Sequence, residues 1–140
     1  TNTGSSKDAT ADKDGTAQAD VTVSAVTLNA EGVVTASALD VVQAKISFSA
    51  AGAVTADLAT APSTKQELGN DYNMKGASPI GKEWYEQADA FTAWTIGKTA
   101  DQIAAGVGED GKASDADLAA GCTITVSDLI TAASTAATVG

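Results

Sequence analysis

The segment DLAAGCTITVSDL, at positions 117–129, carries the chain's only cysteine and three hydroxyl residues just before the last predicted helix. The start of a helix presents backbone N–H groups without intrahelical partners and the positive end of the helix dipole, so it attracts phosphate even without basic side chains. Thr123, Thr125 and Ser127 lie on the approach to that start. The segment is therefore a candidate site for a phosphate-bearing ligand.

The same segment also fits a structural role. The run TITVSDL is compatible with a last edge strand or with a helix start at which Ser127 is the N-cap. Cys122 then acts as a small buried hydrophobic residue. No base or cation adjoins it in the sequence, so nothing indicates a reactive thiol.

Most large side chains of the chain lie between positions 72 and 94. Trp84 and Phe91 recur at helical spacing, which predicts that they face a core. Tyr85 and Trp94 flank that face, and the alternative is that they form a stacking platform for a flavin ring or a sugar. On the polar side of the same helix, acidic residues recur every third position and are predicted to face solvent; they are Glu83, Glu86 and Asp89.

Composition excludes several classes of function. The 140 residues have a net charge of −10, and all eight basic residues are lysines, which disfavours nucleic acids and anionic membrane surfaces as partners. The chain has no histidine, which removes the usual catalytic triads, Cys-His pairs and general bases. Whether the chain is an enzyme stays open, but a redox carrier or a binding module is favoured over a hydrolase. No apolar run approaches the roughly 18 residues of a membrane-spanning helix, so we expect no direct membrane insertion.

The elements that must position these residues are predicted as strands first and helices later, which indicates an α+β fold. Residues 1–13 are polar and are predicted as a flexible lead-in to a single domain at 14–140. Period-two alternation with glycine turns, the first of them running from Asn29 to Gly32, predicts an antiparallel meander of about four strands. A bulge is expected near Ser24, and the later strands are expected at 33–42, 45–49 and 54–58.

Three helices are predicted to pack on this meander. The Trp-rich helix begins near Trp84 and ends at Gly97, where glycine permits a helix stop. Thr99 and Gln102 form a capping box for a short helix. The C-terminal helix carries Leu129 and Ala133 on one face.

The order of residues from Asp117 to Thr125, DLAAGCTIT, resembles the signature of FMN-binding domains that carry covalent flavin. The resemblance implies an FMN phosphoester on Thr123, formed by a flavin transferase. It assigns the leading acid to Asp117, the glycine of the signature to Gly121 and the trailing hydroxyl to Thr125.

Two positions depart from that signature. Ala120 stands where Ser or Thr is usual, and Cys122 where Ala is usual. The amino-terminal stretch DGTAQADVTVSAVTLNAEGVVTASALDVV is similar to the strand pair that opens such domains, so an FMN-binding-domain-like fold is expected. In such a domain Trp84 and Tyr85 are expected to contact the isoalloxazine ring.

The central stretch QELGNDYNMKGASPIGKEWYEQADAF resembles modules, often in tandem, of uncharacterised secreted or lipid-anchored proteins of Gram-positive anaerobes. This second resemblance implies an extracellular location, with anchoring to the cell surface through a region outside this segment. Two functions are therefore expected. One is an exported flavin electron carrier that exchanges electrons with a membrane redox partner, and the alternative is a non-catalytic surface module that binds a protein or carbohydrate without a cofactor.

Overall fold

A long antiparallel hairpin forms the framework of the fold in the computed structural model, which describes residues 1–138. Strand β1 (Gly15–Leu28) pairs with β2 (Val34–Phe48) along nearly its whole length. The predicted turn between them is confirmed. The Asn29 side chain accepts hydrogen bonds from the N–H groups of Glu31 and Val33, and Gly32 has a φ of 74°, which glycine adopts without steric cost.

The prediction of about four strands is not confirmed, because the described residues form one two-stranded sheet. The segments predicted as the second and third strands are a single strand, β2, which continues through Gln43 and Ala44. No glycine or proline interrupts the chain there, so nothing forces a turn. The predicted fourth strand is reduced to one bridge, between Phe48 and Val54.

The predicted bulge near Ser24 is also misplaced. The register shift lies at Thr27 and Leu28. The apolar residues of β1 move from odd to even positions after Val23 because both faces of the strand carry apolar residues, and not because of a bulge at Ser24. Val23 is 60% exposed on one face, whereas Val26 and Leu28 pack against the core on the other.

The described part of the chain contains five α-helices and one 3₁₀ turn. Their bounds are α1 Lys65–Leu68, followed by the 3₁₀ turn Gly69–Tyr72, then α2 Trp84–Thr95, α3 Ala100–Ala104, α4 Ala116–Gly121 and α5 Ser127–Thr138. The predicted Trp-rich helix, the capping box of Thr99 and Gln102 and the C-terminal helix are confirmed. None of these helices combines the length and the hydropathy needed to cross a bilayer. The architecture is α+β.

The core lies between the hairpin and the helices. α2 contacts β2, α5 contacts β1, and α3 packs against α5. The buried apolar side chains are Val34, Leu39 and Val41 of β2, Trp84, Ala88 and Phe91 of α2, Ile103, Leu118, Cys122 and Val126, and Leu129, Ile130, Ala133 and Ala137 of α5. Residues 1–13 meet the fold through bridges along β1, at Asn2–Asp20 and Lys7–Thr16.

The face of the hairpin that points away from the core is apolar, and we call it the outer face. It is formed by Ala17, Ala19, Val21, Val23, Ala25 and Thr27 of β1 and by their partners Ala36, Ala38, Asp40, Val42, Ala44 and Ile46 of β2. Ten of these twelve residues are Ala, Val or Ile. Two of the large apolar side chains, Val23 and Ile46, are 60% and 40% exposed. The hairpin therefore has apolar residues on both faces, and the core covers one of them.

Candidate functional site

The candidate phosphate segment is held in place by Gln87, a side chain of α2 that has no solvent exposure. Its Oε1 accepts hydrogen bonds from the N–H groups of Thr123 (2.8 Å) and Ile124 (3.2 Å). Its Nε2 donates to Ser78 Oγ (3.1 Å) and to the Lys82 carbonyl (3.2 Å). One amide therefore ties the loops before α2 and after α4 to α2, and we call these groups the Gln87 cluster.

The amide is needed because both loops lack regular structure. Residues 122–126 form neither helix nor strand, and of the N–H groups of Cys122, Thr123 and Ile124 only that of Cys122 continues the hydrogen-bond pattern of α4, to the Leu118 carbonyl. A buried N–H without a partner costs free energy comparable to a lost hydrogen bond. Gln87 lies among the buried residues of α2, beside Trp84, Ala88 and Phe91, from where it reaches both loops. The sequence signal that could have revealed it is a glutamine three residues after Trp84, on the predicted apolar face.

Glu83 is a second buried polar anchor, one helical turn before Gln87. It is 3% exposed, and its two carboxylate oxygens accept hydrogen bonds from the N–H groups of Met74 (2.8 Å) and Lys75 (3.0 Å). The prediction that Glu83 faces solvent is wrong, because the loop that contains Met74 and Lys75 folds over the start of α2. Glu86 is half-buried and accepts a hydrogen bond from the Glu83 N–H, whereas Asp89 is exposed as predicted.

Two of the three predicted hydroxyl residues, Thr123 and Thr125, each place one oxygen atom beside the same cation, Lys112. Thr123 is half-buried, and its hydroxyl lies 3.2 Å from Gln87 Oε1 as a donor. Thr125 is exposed. Lys112 Nζ lies 3.1 Å from the Thr123 carbonyl oxygen and 3.4 Å from Thr125 Oγ1. The Thr123 hydroxyl therefore already donates a hydrogen bond within the protein. The ammonium group of Lys112 lies beside the backbone carbonyl of the same residue.

The other two residues of the resemblance lie on α4. Asp117 is exposed in the first turn, where its N–H donates to the N-cap side chain of Asp115. Gly121 is the last residue of α4. A Cβ atom at Gly121 would lie 2.9 Å from the Ala90 Cβ, so glycine allows α4 to pack closely against α2. Close packing of two helices explains this glycine without a ligand.

The aromatic residues between positions 72 and 94 lie in or against the core. Trp84 is 3% exposed, which removes it as a stacking surface, and Tyr85 is half-buried against the core. Lysine ammonium groups lie over one ring face each of Tyr72 and Trp94. Lys65 Nζ lies 4.9 Å from the centroid of Tyr72, and Lys98 Nζ lies 4.7 Å from that of Trp94, which is a favourable cation–π geometry.

Cys122 is 1% exposed among core side chains. Burial raises the pKa of its thiol to about 11, and a hydrogen bond from the backbone of Ile124 opposes that shift. At neutral pH the group is therefore a protonated thiol rather than a thiolate nucleophile. It packs as a small apolar side chain.

Within residues 1–138, no three His, Cys, Asp or Glu side chains are grouped so that they could hold a metal ion.

Comparison of the chain with protein-family models, with curated proteins and with solved structures finds no match.

Proposed function

We propose that this chain is a non-catalytic binding module that binds a protein partner through the outer face of its hairpin. The observation that carries the proposal is the composition of that face, where ten of twelve residues are apolar and Val23 is 60% exposed. Contiguous exposed apolar patches are uncommon on soluble domains and mark interaction surfaces. Burying this patch against a partner removes apolar area from water, which favours association.

The chemistry of the outer face favours a protein over a carbohydrate. Half of its residues are alanines, which provide apolar contact area but none of the polar groups that orient a small ligand in its site. Sugars stack on open aromatic rings, but one ring face of Tyr72 and one of Trp94 lie under the ammonium groups of Lys65 and Lys98. The outer face contains no aromatic residue among its twelve positions, and the ring of Phe48, the next residue of β2 on that face, packs over its partner Gly15.

Selection from a random peptide library displayed on phage tests this proposal. We expect the folded module to enrich peptides rich in apolar residues, and Val23→Gln and Ile46→Gln to weaken their binding about tenfold, as expected when a central apolar contact is lost. Ile96→Gln is the matched control, since Ile96 is 44% exposed at the end of α2, outside the outer face. The proposal fails if no peptide is enriched, or if the two variants bind the enriched peptides as tightly as the unchanged protein.

A second candidate function is that of a flavin electron carrier with FMN joined to Thr123. The position of Lys112 favours it, because its ammonium group lies 3.1 Å from the Thr123 carbonyl oxygen and would neutralise a phosphate on the neighbouring hydroxyl. In this function Thr123 and Thr125 hold the phosphate end, and the flavin supplies the redox chemistry. The Thr123 hydroxyl must then leave Gln87.

Intact mass after co-production with a flavin transferase tests this second candidate. The expected result is a mass increase of one FMN unit at Thr123, visible flavin absorbance, and loss of both in Thr123→Ala. Thr135→Ala is the control, because it removes an exposed hydroxyl of α5 outside the candidate segment and leaves the acceptor. A colourless protein of unmodified mass would contradict covalent flavinylation.

A further inference from the structure

A groove of about 430 Å³ opens from the outer face towards α2 and α1. Six of its lining residues are Val23, Ala25, Ala38, Asp40, Gln66 and Asp89. The first three are small or apolar residues of the outer face. The last three are polar, so the groove joins an apolar floor to a polar end.

The polar end holds two carboxylates on either side of Gln66. The Gln66 N–H donates to Asp40 Oδ1 (3.2 Å), and its side-chain Nε2 donates to Asp89 Oδ1 (3.3 Å). Asp40 Oδ1 also accepts from the Val41 N–H (2.7 Å). All of these donors are neutral amides, which leave both negative charges in place. Among residues 1–138, the second oxygen of each carboxylate has no hydrogen-bond donor.

Asp40 is the one charged residue of the outer face, and it stands directly opposite Val23 in the β1–β2 register. A carboxylate placed within an apolar interface weakens binding unless the partner supplies a positive charge. A lysine or arginine side chain meets both requirements, because its aliphatic stem packs on apolar residues while its charged end reaches a carboxylate. The groove presents these two surfaces side by side.

We propose that this groove binds a lysine or arginine side chain of the protein partner, with its stem on Val23, Ala25 and Ala38 and its charged end at the oxygens of Asp40 and Asp89 that Gln66 does not contact. This inference rests on the proposed binding function and adds the chemistry of the partner to it. The net charge of −10 and the absence of arginine agree with a basic partner, because complementary charge speeds encounter and selects the partner.

The peptides selected from the phage library provide the test. We expect a lysine or arginine in the enriched sequences and weaker binding at higher salt concentration. Asp40→Asn should weaken binding about tenfold, as for a partly buried charge-assisted hydrogen bond. Asp89→Asn should weaken it about threefold, because that carboxylate is exposed. Asp101→Asn, an exposed position on α3 outside the groove, is the control for net charge.

A double-mutant cycle separates a direct contact from an indirect effect. Replacement of the peptide's lysine by norleucine, or of its arginine by citrulline, should remove the effect of Asp40→Asn. Asparagine retains the oxygen that accepts from Val41 and Gln66, so the fold is preserved. If binding of the enriched peptides depends on Val23 and Ile46 but not on Asp40, the proposal for the groove is overturned while the proposed function stands. A selection without enriched peptides overturns both.

Discussion

Replacement of Gln87 by leucine is expected to lower the free energy of unfolding by about 4 kcal/mol, since each buried polar group left without a partner costs about 1–3 kcal/mol. Leucine fills a similar volume but leaves the N–H groups of Thr123 and Ile124 without their acceptor. The Lys82 carbonyl loses its side-chain donor as well. Domains of this size have total stabilities of about 5–15 kcal/mol, so the variant is expected to be close to unfolding. Urea denaturation followed by tryptophan fluorescence measures the change.

Gln102→Leu is the matched control for this substitution. Gln102 is exposed, and its amide oxygen accepts one hydrogen bond, from the Thr99 N–H at the start of α3. Loss of that capping contact is expected to cost about 1 kcal/mol or less. A Gln87→Leu variant no less stable than Gln102→Leu would show that the Gln87 cluster does not hold the two loops.

Gln87→Glu separates the hydrogen-bond geometry from charge. The carboxyl group keeps an acceptor for Thr123, but at neutral pH it is a buried charge next to the Lys82 carbonyl, which it cannot serve as a donor. Burial raises the folded-state pKa of such a group above its unfolded value. The variant is therefore expected to lose stability, relative to the unchanged protein, as the pH rises from about 4 towards neutrality. Denaturation curves at both ends of that range measure the difference.

The features that the sequence predicts correctly are those with local signals. The spacing of Trp84 and Phe91 marks α2, and Thr99 with Gln102 marks α3, because both patterns involve residues within one or two turns of each other. The hairpin turn at Asn29 and Gly32 is equally local. The strand count was wrong because alternation of apolar and polar residues indicates a strand but does not show where it ends.

The parts of the site that the sequence did not reveal depend on contacts between distant segments. Gln87 and Thr123 are 36 positions apart, and nothing near either residue indicates that they meet. The alternation of β1 and β2 predicts strands, but it does not predict which face of the hairpin α2 and α5 cover. The apolar outer face therefore became visible only once the positions of α2 and α5 were known.

Replacement of Glu83 by alanine is expected to lower the free energy of unfolding by about 3 kcal/mol, the second large effect, because two partly buried N–H groups lose their acceptors. These are the N–H groups of Met74 and Lys75. A negative charge at the start of α2 is lost as well, which removes a favourable interaction with the helix dipole. Urea denaturation measures the global effect. Glu67→Ala, at the third helical position of α1, is the matched control, since that exposed carboxylate accepts one hydrogen bond, from the Thr64 N–H.

The position of Glu83 also predicts a local effect that can be measured on the folded protein. Its carboxylate attaches the loop at 73–82 to α2, and that loop contains two lysines, Lys75 and Lys82, after which trypsin cleaves. Loss of this attachment lowers the free energy of local opening, so the loop is cleaved faster under native conditions. Cleavage after Lys75 should therefore accelerate in Glu83→Ala and stay unchanged in Glu67→Ala. Equal rates in both variants would mean that Glu83 stabilises the start of α2 without holding the loop, and its stability effect would then reduce to that of a helix cap.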